Sequence, residues 1–227
     1  MSTKSDIERF KVIKDELFTC VVGDVMDALG YTHQFLPPHI RPLRADMRVI
    51  GRAKTVQEAD CTGRKVHSED RDHAFGVMFE ALDSLKENEV YVCAGASPNY
   101  ATWGELMSTA ALNHGAAGAV VEGYSRDTNG ILALDFPTFS IGCYGQDQGL
   151  RGRVIDYDCP IEFSNRVRVE PGDLIFGDID GVLAIPKAIE EEVIHGALEK
   201  VRGENKVKKL IQEGMPTRRV WDEYGIM

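Results

Sequence analysis

Trp103-Gly-Glu-Leu-Met-Ser-Thr-Ala-Ala-Leu-Asn-His-Gly-Ala-Ala-Gly-Ala-Val-Val-Glu-Gly-Tyr-Ser-Arg-Asp127 decides the fold class. Trp103 to His114 reads as a helix, and Gly115 falls at the C′ position where a left-handed residue ends a helix. Gly118 to Glu122 is a short, fully apolar strand apart from its last residue, and its end delivers Gly123 to Asp127. Helix, tight glycine, buried strand and polar turn in succession predict an α/β protein.

Outward from that unit the pattern continues. Residues 6–18 carry Ile7, Phe10, Val12, Ile13 and Leu17 at helical spacing, and a second helix is expected from Thr19, as N-cap, to before Gly30. Three prolines in Phe35-Leu-Pro-Pro-His-Ile-Arg-Pro predict a loop. Met47–Ala59 reads as a strand kinked at Gly51, His73–Leu85 as a helix and Glu89–Gly95 as a buried strand. Further strands are expected at 137–142, 154–163, 167–169, 174–177 and 182–185, with turns at Pro171-Gly172-Asp173 and Asp180-Gly181. This second half lacks long crossover helices, which disfavours a doubly wound sheet. From Lys187, the residues Ile189, Val193, Ile194, Ala197, Leu198 and Val201 form an apolar helical stripe. The expected division is a body of residues 1–186 and a C-terminal helical extension, 187–227.

Composition excludes several classes. With 227 residues, one domain can bury a full core. The net charge of −10 disfavours nucleic acid and anionic membranes as partners. No apolar run approaches the ~18 residues of a membrane span. Five cysteines (20, 61, 93, 143, 159) occur singly, without zinc or redox spacing. Reduced thiols and no apolar leader point to the cytoplasm. No G-x-G-x-x-G, P-loop or nucleophile elbow is present.

Two constellations carry chemistry. Arg126 can bind a carboxylate bidentately, and the adjacent Asp127 is a hard oxygen ligand suited to a divalent cation. A solvated surface pair is the plain alternative. Gly104-Glu105-Leu106-Met107 opens a helix, where free N–H groups attract anions and glycine admits a ligand to the backbone. Here too Glu105 could merely complement the helix dipole. His67, His73 and His114 form no metal-spaced set, and Asp178 and Asp180 read as turn-shaping residues.

Trp-Gly-Glu-Leu at 103–106, Gly-x-x-Gly-x-Val-Val-x-Gly at 115–123, Arg126-Asp127, Pro-Gly-Asp-Leu at 171–174 and Asp-x-Asp-Gly-Val at 178–182 together resemble the RraA-like family. The likeness runs from about residue 15 to 186. That family holds divalent-metal-dependent 4-hydroxy-4-methyl-2-oxoglutarate aldolases, which also decarboxylate oxaloacetate, and regulators of ribonuclease activity. The resemblance implies a layered αββα sandwich similar to a swivelling phosphohistidine-type domain. It implies a class II lyase that cleaves a C–C bond of a small 2-oxo acid through a pyruvate enolate, with Mg2+ or Mn2+. Arg126 would bind the substrate carboxylate, Asp127 would hold the metal, and Gly104, Glu105, Leu106 and Met107 would contact the substrate. Glu105 would lie near the metal's waters, and Glu204 would reach in from a neighbouring subunit of a homotrimer or dimer of trimers. The regulators of the family typically lack the aspartate after the arginine and the long C-terminal helix; this chain has both. A lyase, decarboxylase or isomerase on another sugar acid and a non-catalytic regulator stand as alternatives.

Overall fold

The computed structural model describes residues 4–61 and 75–226. The fold is organised by β2 (Val49–Asp60), which pairs on both sides along its length. On one side it runs parallel to β3 (Glu89–Ala94), with Arg52 opposite Glu89 and Gln57 opposite Ala94. On the other it meets two antiparallel partners in turn, β12 (Leu174–Asp178) at its start and β9 (Gly152–Tyr157) at its end. A register shift at Gln57/Glu58 separates two parts of its pairing with β9. The sheet extends in the order β1 (Arg41–Pro42), β7 (Thr138–Ser140), β5 (Gly118–Val121), β3, β2, β12 and β13 (Gly181–Ile185). The run β7-β5-β3-β2 is parallel and the flanks are antiparallel, so the sheet is mixed.

The sheet curls until its ends nearly meet. Arg41, on the first edge strand, donates from Nη1 to the carbonyls of Ile179 and Asp180 in the β12–β13 turn, at 3.1 and 2.7 Å. A Cβ built on Gly177 of β12 would lie 3.1 Å from Phe139 of β7, a strand on the far side of the sheet order. Strand alternation then sorts the apolar residues. Val90, Val92 and Ala94 point inward with Val49, Val120, Phe139, Ile175 and Val182, under a cover from β10 (Ile161–Glu162) and β11 (Arg168–Val169). Tyr91 and Cys93 point outward, against α3 (Met78–Asp83), α4 (Glu105–Asn113) and α5 (Thr128–Ala133). These helices lie in the parallel crossovers and all pack on one outer face. A doubly wound sheet would distribute them over two.

The other outer flank is covered by α1 (Lys4–Glu16), α2 (Thr19–Ala28) and α6 (Glu190–Gln212). Phe10, Ile13, Val22, Met26, Val193 and Ala197 bury against Leu174, Phe176, Leu183 and Ile185. The apolar stripe of α6 thus belongs to the core, each buried aliphatic side chain contributing roughly 1.5–3 kcal/mol. At its N-terminus Glu190, buried, pairs with Arg52 and with Arg9 at 3.2 Å. Gly214, at φ +94°, turns the chain into α7 (Thr217–Tyr224). Among the described residues no helix is long and apolar enough to cross a membrane.

Four local expectations differ. Thr19 is not the N-cap of α2; Phe18 is, and Thr19 is buried with its N–H and hydroxyl donating to Asp178, at 2.8 and 2.6 Å. A carboxylate from β12 thereby does what the helix's own cap would do. Asp178 also accepts from the Asp180 N–H at 2.9 Å, so its turn-shaping role holds as well. The helix expected from Trp103 begins at Glu105, because Trp103 closes a strand, β4 (Ala101–Trp103). The strand expected at 154–163 is two, β9 and β10, broken where Asp158 takes φ +52° ahead of Cys159-Pro160. Of the expected helix His73–Leu85, only Met78–Asp83 is helical within the described residues, outside which His67 and His73 lie.

Candidate functional site

A second, small sheet builds the site. β4, β6 (Tyr124–Ser125) and β8 (Gly142–Cys143) pair in parallel, in that order. Their carboxyl ends are neighbours, and the residues that follow each strand converge, the position where α/β sheets bind ligands.

After β4 comes Gly104, the N-cap of α4, in extended backbone at φ −155° and ψ −179°. The first helical bond is made by the Ser108 N–H to the Gly104 carbonyl at 3.0 Å, so the N–H groups of Glu105, Leu106 and Met107 precede it. Trp103 anchors this start: its indole N–H donates to Ser108 Oγ at 2.8 Å and its ring stacks on Phe136. After β6 comes Arg126, whose N–H bonds the Trp103 carbonyl at 3.0 Å, and then Asp127, the N-cap of α5 at φ +56°. An aspartate tolerates this left-handed conformation better than most residues. It turns the chain sharply enough that both side chains face Gly104. A Cβ at 104 would lie 3.2 Å from Asp127 Oδ2 and 3.6 Å from Arg126 Cγ.

After β8 comes Asp147, which the sequence reading missed. Arg126 Nη1 is 3.3 Å from Asp147 Oδ1, and its Nε is 3.6 Å from Asp127 Oδ2. All three side chains are roughly 40% exposed, in the range where an ion pair adds only ~0–1 kcal/mol to stability. Stability therefore does not account for the cluster. It borders a cavity of about 360 Å3 whose other walls include Phe79, Leu82, Leu106 and Met107. That volume suits a small molecule.

The structure thus brings together Gly104, Leu106, Met107, Arg126 and Asp127. Glu105 is turned aside, its carboxylate packed over Gly130 of α5, where a Cβ would lie 2.1 Å from Oε2. Glu204 is on α6, on the opposite flank, 3.9 Å from Lys200. His114 ends α4 as its C-cap. Among the described residues no group of three or more His, Cys, Asp or Glu gathers around a metal position. One or two carboxylates with open space in front nevertheless fit Mg2+ or Mn2+, which keep several waters. The missing side chain at Gly104 leaves that space before Asp127.

A separate polar cluster lies at the end of β2. Glu58 is 1% exposed with no partner for Oε1, and burial together with the nearby Asp60 pushes its carboxyl from 4.5 up to about 8. Asp60 is itself held low: despite partial desolvation it accepts from the Ser97 N–H at 2.9 Å and the Tyr100 hydroxyl at 2.8 Å. Burial and that donation raise the Tyr100 hydroxyl.

A family model described as RraA-like, Aldolase/RraA, matches residues 19–184. The chain belongs to the RraA-like family. The RraA-like chain is 29% identical to the protein DlpA of Legionella pneumophila over 204 residues, 89% of this chain but about a third, 32%, of that protein. It is 31% identical to a Halalkalibacterium halodurans protein named provisionally as a 4-hydroxy-4-methyl-2-oxoglutarate aldolase, covering 90% of both. A crystal structure described as one of novel cellulases from gut-associated microbes superposes with a TM-score of 0.79 at 30% identity, over 91% of this chain and 90% of that one.

Proposed function

We propose that this RraA-like protein is a divalent-metal-dependent lyase that cleaves a C–C bond of a small 2-oxo acid. The observation that carries the reading is the pairing of an arginine with an aspartate at the cavity. Arg126 and Asp127 stand side by side, 3.6 Å apart from Nε to Oδ2, and the missing side chain at Gly104 leaves room before the aspartate. A divalent cation on Asp127 would offset its charge and give an anionic substrate a second positive partner beside Arg126. Likeness to a relative named for the aldolase agrees with this.

Arg126 would take the substrate carboxylate in its bidentate fork, and the N–H groups opening α4 would complete the anion site. As the C3–C4 bond breaks, negative charge moves onto the 2-oxo oxygen, and Arg126, already in place, opposes it. A bound Mg2+ or Mn2+ would supply Lewis-acid polarisation of that oxygen. Retro-aldol cleavage of 4-hydroxy-4-methyl-2-oxoglutarate and decarboxylation of oxaloacetate release the same pyruvate enolate, so one site serves both. Glu105 is the proposed proton carrier, turning from Gly130 toward the cavity. Leu106, 84% exposed, and Phe79, 49% exposed, leave an apolar mouth that a neighbouring copy in a trimer would cover, bringing its Glu204.

Pyruvate release from both substrates tests the reading. Activity should require Mg2+ or Mn2+, and EDTA should abolish it reversibly. Arg126→Lys, which keeps the charge and loses the fork, should lower kcat/KM by roughly 10²-fold, about 3 kcal/mol. Pyruvate release by rigorously metal-free protein, or none from either substrate with metal, would sink it. In the second case a sugar-acid lyase or a non-catalytic regulator takes its place.

A further inference from the structure

We infer that Asp147 is a positioning residue for Arg126, holding the guanidinium by Nη1 so that its Nε and Nη2 edge faces the incoming carboxylate. The inference rests on the proposed function for the identity of that ligand.

The loop after β8 is fastened before it reaches Arg126. Asp147 forms a bridge with Ala101 of β4, and its carbonyl accepts from Arg151 Nη1 at 3.0 Å. Two residues on, the Gly149 N–H donates to Asp147 Oδ2 at 3.2 Å. That bond fixes the rotation of the carboxylate and presents the other oxygen, Oδ1, to Arg126 Nη1 at 3.3 Å. An arginine offers its strongest two-point contact along the edge shared by Nε and Nη2. Nη1 lies off that edge, so the contact to Asp147 restrains the guanidinium without occupying the face a substrate would use. Asp127 approaches the Nε side only to 3.6 Å, too far for a hydrogen bond. Each strand of the small sheet therefore contributes one part: β4 the helix opening, β6 the arginine and aspartate, β8 the restraint. Groups that orient a metal's ligands alter affinity or activity by about 10- to 100-fold when removed, and a carboxylate that orients a substrate's arginine is expected to act at the lower end of that range.

Two readouts test the role. Oxalate binding in the presence of Mg2+ is titrated for wild type, Asp147→Ala, Asp147→Asn, Arg126→Ala and the Asp147→Ala/Arg126→Ala pair. Asp147→Ala should weaken binding about tenfold, and Asp147→Asn, which keeps an oxygen for Nη1, should weaken it less. The double variant should bind like Arg126→Ala alone, because a positioning residue has no effect once its arginine is gone. Additive losses, or an Asp147→Ala affinity tighter than or within about twofold of wild type, overturn the inference. The second readout is the side-chain Nε–Hε NMR resonance of Arg126, assigned by its loss in Arg126→Lys. Its order on the ps–ns timescale should collapse in Asp147→Ala, and an unchanged resonance overturns the inference. If wild-type protein binds no oxalate, the proposed function fails while the NMR result still decides the role of Asp147.

Discussion

Raising the pH should weaken the fold through one side chain, Glu58. Its carboxyl is buried at the β2 register shift, lacks a partner for Oε1 and lies near the charge of Asp60, which together move it from 4.5 to about 8. The folded protein thus holds this proton more tightly than the unfolded chain does. The associated stability is complete below the unfolded value and is lost as pH rises toward the folded one. At about 1.36 kcal/mol per tenfold change in proton affinity, the loss between pH 5 and pH 8 comes to roughly 3–4 kcal/mol. That corresponds to a fall in Tm of roughly 10 °C for a chain of this size. Asp60 acts with the opposite sign, since hydrogen bonds hold its carboxyl low, and its contribution is lost only in acid. Asp173, raised by burial, shares the sign of Glu58, so a control is needed. Glu58→Gln supplies it by removing the titration while keeping the size. Urea unfolding at fixed protein concentration should show wild type losing roughly 3–4 kcal/mol over that range and the variant losing much less. Equal wild-type stability at pH 5 and pH 8, or a Gln variant with the full slope, would refute the reasoning.

Gly104→Ala should fold normally, because φ −155° is open to any residue, but its Cβ would press on Asp127 Oδ2 at 3.2 Å. Calorimetry should find Mg2+-dependent oxalate affinity lowered by about tenfold, ~1.4 kcal/mol, with Tm nearly unchanged. Glu204→Gln should lower pyruvate release by about tenfold if a neighbouring copy uses it, with assembly size by light scattering unaltered; full activity discards the shared site. Deleting residues 187–227 is the poorer experiment, since it uncovers the core that α6 forms with α1 and α2.

The sequence by itself determined the local grammar and the key dipeptide. Gly115 ends α4, Gly118–Val121 is a buried strand, and Arg126-Asp127 follows it, because those features depend on spacing and on backbone preferences within a few residues. Family membership was legible from the same short motifs, and the model match over residues 19–184 agrees. Where a residue's role depends on a distant partner, the sequence was silent or misleading. Thr19 reads as a helix cap from its neighbours, yet Asp178, 159 residues away, takes over that function. The resting place of Glu105 over Gly130, a glycine on the next helix, could not be read from its neighbours in sequence. Asp147 carries no local signal at all, because its meaning comes from β8 pairing beside β6. Glu58 looks like an ordinary strand glutamate, and only the pairing of β2 with β9 and the packing around it leave it buried. Alternation and turn chemistry act over a few residues and survive in the sequence. Sheet curvature, strand neighbours and burial are set by contacts between segments far apart in the chain, and only the tertiary structure decided them.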